Sequence, residues 1–134
     1  MSFVKSFVNA FVEQQIEERK RKERADKKKD IRVWVDSSTY KKIVRKSKLE
    51  DQTITEYCSR IVSKEMSESL NDSLWFFEYD YQVEENIVHV KLGKEDYEKV
   101  CGFCADWGSR SIRETVHRIL YNALETDGLI RKAN

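Results

Sequence analysis

No stretch of this 134-residue chain is long and apolar enough to span a bilayer, and none has the composition of a cleavable signal. A cytoplasmic protein is the expectation. Its 3 cysteines, with no secretory segment, give no disulfide framework. With 4 glycines and 2 histidines, there is no glycine-rich phosphate loop. Nor is there a Ser-His-Asp or Cys-His arrangement with a local signature, or a pair of acids in a catalytic context. An enzyme, catalytic residues and a cofactor are therefore not expected. Cys101-Gly102-Phe103-Cys104 has the spacing of a redox or zinc pair, but it falls inside a helical pattern, and zinc needs two more ligands. Small core residues are the plainer reading, and no metal is expected. A net charge of +1 neither supports nor excludes a nucleic-acid partner. What matters is how charge is segregated.

What the chain does have is a repeat. Residues 31–66 recur as 88–124, with Val33 on Val90, Val35 on Leu92, Tyr40 on Tyr97 and Ile43 on Val100 at a shift of 57. After one inserted residue the shift is 58, which puts Ile54 on Ile112, Glu56 on Glu114, Arg60 on Arg118 and Ile61 on Ile119. Each copy reads as strand, helix, turn, helix. In the strands, Val33 and Val35, or Val88, Val90 and Leu92, alternate with Arg32 and Trp34, or His89 and Lys91, the period of a half-buried ribbon. The first helices carry Tyr40, Ile43, Val44 and Ser47, or Tyr97, Val100, Cys101 and Cys104, on one face. The second helices open on Thr53-Ile54-Thr55-Glu56 and Ser111-Ile112-Arg113-Glu114, the sequences of capping boxes in which the hydroxyl takes a helix amide and the glutamate reaches back. Apolar spacing continues through Tyr57, Cys58, Ile61 and Val62, and through Val116, Ile119, Leu120, Ala123 and Leu124.

The flanks divide the chain further. Residues 1–30 read as an N-terminal helix, amphipathic and then basic; 31–67 and 87–126 are the two units, 68–86 an acidic aromatic linker and 127–134 a tail. Phe3, Phe7 and Phe11 lead an apolar stripe that must be covered, by the rest of the domain, by another copy of the chain, or by a partner protein's groove. Glu13, Glu17 and Glu18 on the polar face speak against a membrane surface. Arg19, Lys20, Arg21, Lys22, Arg24, Lys27, Lys28 and Lys29 form a basic arm just before the first strand, placed to meet phosphates, although i, i+4 pairing with Glu17 and Glu18 also describes a solvated helix. The linker has six acids and no lysine or arginine, so it belongs away from DNA. Alternation through Tyr79, Tyr81 and Val83 also allows an extra strand over 76–83.

One strand and two short helices bury too little to fold alone. These units resemble the ribbon-helix-helix family of the MetJ and Arc class, with the best local matches at Val90-Lys91-Leu92 and at the turn from Ala105 to Ser111. The resemblance implies a mainly α fold with a short antiparallel β-ribbon, the two units pairing as an intrachain pseudo-dimer. It implies sequence-specific binding of double-stranded DNA, with Arg32, Trp34, His89 and Lys91 facing base edges in the major groove. Trp34 departs from the polar residues the family prefers there; it meets a thymine methyl or is covered by the N-terminal helix. Amides at Ile54 and Thr55, and at Ile112 and Arg113, are implied at phosphates, with Arg110 and Arg113 adding charge. The roles implied are a repressor of the protein's own operon, a plasmid partition factor, or an accessory protein of the relaxosome in conjugative transfer. The tandem form resembles the last, with a relaxase or coupling protein as partner and self-association on adjacent sites. The contrasting class is an interaction protein that binds protein or membrane through its helix pairs and the phenylalanine stripe, without nucleic acid.

Overall fold

The computed structural model describes residues 28–68 and 77–131. Phe3, Phe7, Phe11 and the basic residues from Arg19 to Lys27 lie outside the described residues, as do 69–76 of the linker. The described elements run β1 (Lys29–Val35), α1 (Ser37–Leu49), α2 (Ile54–Glu68), β2 (Asn86–Leu92), α3 (Lys94–Trp107) and α4 (Ile112–Thr126). Moved by 57 residues β1 coincides with β2, and moved by 58 α2 coincides with α4. The one-residue slip therefore falls in the turns between helices. There Asp51 and Gly108, 57 apart, both adopt a left-handed backbone, with φ of 56° and 62°. That conformation is free for glycine and tolerated by aspartate. At Gly108 it closes α3, the Gly108 and Ser109 amides donating to the carbonyls of Ala105 and Cys104 at 3.3 and 3.1 Å.

β1 and β2 form an antiparallel two-stranded sheet in which Ile31 lies opposite Val90, Arg32 opposite His89 and Val33 opposite Val88. Ile31, Val33, Val35, Val88, Val90 and Leu92 are all buried on the inner face. An isolated ribbon is marginal in water, so this face needs a cover. α2 packs on β2 and on α4, while α4 packs on β1, so each strand is covered by the second helix of the other unit. Each inward side chain contributes about 2 kcal/mol by leaving water. A slip of one residue would expose all six and bury the charged set, which fixes the register.

The helices follow their spacing, with one correction. Tyr57, Cys58, Ile61 and Val62 of α2 are buried, as are Val116, Ile119, Leu120, Ala123 and Leu124 of α4. In α3 only Val100 is buried; Cys101 is exposed and Cys104 half-buried, so Cys101 is not the small core residue its spacing suggested. α3 lies at the margin, with Val100 buried and Tyr97, Phe103 and Trp107 partly buried against the core.

α4 is buried nearly all round, from Thr115 to Leu124 except Arg118. Its inner side meets the ribbon and α2; its outer side is covered by the linker. The Asn122 side chain accepts from the Phe77 amide and donates to the Phe77 carbonyl, both at 2.7 Å. Tyr79 packs on Tyr121 with centroids 5.2 Å apart, and Tyr81 on His117 at 4.7 Å. Residues 77–84 form no strand, so the alternation here serves side-chain docking instead of a ladder. The expected tail is also partly docked, since Leu129 and Ile130 pack against the core.

Asn122→Ala would leave the Phe77 amide and carbonyl without these partners. The expected cost is roughly 1–3 kcal/mol in urea melts, with faster proteolysis within 77–85; unchanged values would show that the aromatic contacts alone hold the segment.

Candidate nucleic-acid interface

The outer face of the ribbon carries Asp30, Arg32 and Trp34 from β1 and Ile87, His89 and Lys91 from β2. They stand in three direct pairs, Asp30 with Lys91, Arg32 with His89 and Trp34 with Ile87. The amides of Trp34 and Lys91 point away from the ribbon, to the Tyr81 hydroxyl at 3.4 Å and the Ser59 hydroxyl at 2.8 Å. These outward pairs are therefore the non-hydrogen-bonded ones, in which side chains approach closest. The same two bonds satisfy one outward amide on each edge of the ribbon.

All four residues expected at base edges thus share one face. Arg32 and Lys91 are exposed. His89 Nδ1 lies 3.0 Å from both carboxylate oxygens of Asp30, with side chains 40% and 41% exposed. That contact orients the ring, and no hydrogen bond of Nε2 is found among the described residues. Trp34 is half-buried, its ring stacked on Tyr81 at 5.5 Å between centroids. The linker therefore reaches the ribbon at this residue, and Tyr81, a described residue, covers part of it. Asp30 and Ile87 were missed, although extending the alternation of Arg32 and His89 by one step toward the start of each strand finds both. Ile87 is 44% exposed.

The second helices begin beside this face. Thr53 and Ser111 accept the amides of Glu56 and Glu114 at 3.1 and 3.2 Å, which is the first half of each capping box. The return half is absent: the Glu114 carboxylate takes Arg110 Nε at 3.0 Å, and no hydrogen bond of the Glu56 side chain is found among the described residues. Arg110, in the turn before α4, is thereby paired with the first turn of that helix, though 82% exposed. Ile112 and Arg113 of α4 meet Lys29, Arg32 and Tyr97 around a hollow of about 260 Å³. On the other side Thr55 and Lys91 line a larger groove of about 1130 Å³ with Lys28, Arg60 and Lys64. Cations therefore line both hollows beside a helix start, together with Asp30 in the first and Glu56 and Asp96 in the second.

Electrostatics differ between the two ends of the ribbon. Lys28 and Lys29 lead into the end where Lys91 lies, whereas Glu84 and Glu85 lead into β2 at the end where Trp34 lies. The groove cations are partly engaged, Arg60 with Glu50 and Lys64 with Glu68.

The remaining candidates are structural. Burial pushes the Cys58 thiol up to about 12. Among the described residues no group of three or more His, Cys, Asp or Glu could hold a metal ion. His117 sits in the core between Tyr81 and Tyr121, with centroids 4.7 and 4.2 Å away and no partner on Nδ1. Burial lowers its pKa to about 4, against a smaller upward pull from Asp36. Asp36 caps α1 through the Thr39 amide at 3.0 Å and accepts the Tyr121 hydroxyl at 2.6 Å. Burial raises its pKa, but these hydrogen bonds outweigh that and hold it below the ordinary value.

No family model, no curated protein and no solved structure matches the chain.

His117 makes stability depend on acidity. Its folded pKa lies below that of the unfolded chain, so the neutral ring's contribution is complete above pH 6.5 and is lost as pH falls toward about 4. Stability at pH 5 is expected to be about 2 kcal/mol lower than at pH 7.5, and His117→Phe is expected to remove most of that difference in paired thermal melts. An identical acid profile in the variant would assign it to other groups.

Proposed function

We propose that this chain binds double-stranded DNA sequence-specifically, laying the β1–β2 ribbon in the major groove, and that its two strand-helix-helix units act as an intrachain pseudo-dimer of the ribbon-helix-helix type. The observation that carries this reading is the ribbon register. Arg32 and His89 are 57 residues apart, the repeat distance, and they lie directly opposite each other. A two-fold axis relating the copies would pass through that pair. A ribbon of this width fits the major groove, and its outward residues have the chemistry of base readers. The Arg32 guanidinium matches O6 and N7 of guanine as a bidentate donor, Lys91 donates to the same atoms, and His89 presents its free ring nitrogen.

The capped starts of α2 and α4 supply the phosphate contacts, through the amides of Ile54, Thr55, Ile112 and Arg113 and the charges of Arg113 and Lys29. The basic arm before β1 extends them. Because the two strands differ in sequence, the chain reads an asymmetric site. Such a reader suits a repressor of its own operon or an accessory protein that assembles a relaxosome beside a transfer origin. In either role it needs no catalytic residue of its own.

Site selection from a random duplex library, followed by binding across a salt series, tests the reading. Wild type is expected to lose affinity steeply with salt. Arg32→Ala with Lys91→Ala is expected to lower affinity for the selected site by roughly 10- to 100-fold while changing binding to random duplex far less. Arg113→Ala is expected to weaken both about equally and to reduce the salt slope by about one. Absence of salt-sensitive binding by wild type would overturn the proposal and favour the protein-interaction class.

A further inference from the structure

The outer face of the ribbon is divided along its length. At one end Asp30, His89 and Lys91 stand together, His89 and Asp30 in contact at 3.0 Å and Lys91 directly across from Asp30. At the other end Trp34 stands directly across from Ile87, and no charged residue of the ribbon occupies that pair. Isolated apolar residues at a surface are ordinary. Two large ones opposed in a non-hydrogen-bonded pair, on a face otherwise made of charged and polar residues, form one apolar contact surface. It is also rigid, because stacking on Tyr81 and the bond from the Trp34 amide to the Tyr81 hydroxyl hold Trp34 in place before any ligand arrives. Only Arg32, in the central pair with His89, stands between the two ends on its strand.

Resting on the DNA-binding reading above, we infer that Trp34 and Ile87 form a thymine-methyl reader. The ribbon then recognises thymine 5-methyl groups in one half of its site, and polar base edges through Arg32, His89 and Lys91 in the other. A thymine methyl is the one apolar group that a base edge presents in the major groove. A fixed aromatic ring beside an exposed aliphatic chain complements it. The charges leading into the two strands are of opposite sign. Lys28 and Lys29 precede the strand end where the polar readers lie, and Glu84 and Glu85 precede the end where Trp34 and Ile87 lie. Phosphate attraction is therefore concentrated at one end and methyl contact at the other, so the chain sits on its site in one direction.

The test replaces each thymine of the selected site by deoxyuridine, one at a time, which removes the methyl and leaves every hydrogen-bonding group in place. Weakening of about fourfold per contacted methyl is expected, confined to one half of the site. Ile87→Ala and Trp34→Ala are expected to bind the thymine site with the affinity that wild type shows for the uracil site, and to lose nothing further when uracil is introduced. Arg32→Ala keeps the methyl dependence. Ile87 is exposed, so its variant keeps the fold, which thermal melting verifies, and decides the matter if Trp34→Ala unfolds. Specific binding with no methyl dependence, or with equal dependence in both halves, would overturn this inference while leaving the DNA reading standing. Self-association lost in Ile87→Ala, with methyl dependence unchanged, would overturn it too and make the patch a contact between copies. No duplex binding at all would overturn both.

Discussion

The pairing of β1 with β2 is the constraint on which the rest of the molecule depends. Among the described residues neither strand has another neighbour in the sheet, and neither unit has a second strand of its own. Pairing across the chain gives the ribbon an inner face of six aliphatic side chains, and that face can be covered only by helices lying beneath both strands. Because α2 lies under β2 and α4 under β1, the two units cannot be separated without uncovering both strands. The same register decides which residues face outward. Core and outer face are thus two sides of one set of backbone hydrogen bonds.

The two units are finished differently. Asp36 and Gly93 occupy equivalent positions before α1 and α3, and only Asp36 caps its helix with a side chain. The Tyr121 hydroxyl reaches Asp36, whereas Ser63, its equivalent in α2, donates to Asp96 at 2.7 Å. Beside α4 the space is filled by Tyr79, Tyr81, His117 and Tyr121. Along α2 the equivalent positions are the small hydroxyl residues Ser59 and Ser63, which line the open groove. Larger side chains on α4 recruit the linker as a cover; smaller ones on α2 leave a groove lined by Lys28, Arg60, Lys64 and Lys91 together with Glu56 and Asp96.

The repeat made the element order legible, because strand period and helix period change at the same places in both copies. The outward position of Arg32, Trp34, His89 and Lys91 followed from alternation alone, since a strand with one apolar face has no other register available. Less was legible where tertiary contacts decide. Nothing local marks Asn122 as the clamp for Phe77, because both groups it serves are backbone atoms 45 residues away. Cys101 shares the helical spacing of Val100, yet α3 turns Tyr97, Phe103 and Trp107 toward the core and leaves Cys101 exposed. Glu114 has the position of a capping-box acid, and the nearer guanidinium of Arg110 takes it. In each case a competing partner, invisible in a short window, displaced a sound local expectation.

The strand register is the claim that supports every functional assignment here, and cross-strand nuclear Overhauser contacts in a dilute sample of the whole chain measure it directly. This register gives contacts between Arg32 and His89 and between Trp34 and Ile87 in a particle of single-chain mass. Contacts shifted by one residue, which would turn Val33 and Val88 outward, or the same contacts seen only in a two-chain particle, would contradict it.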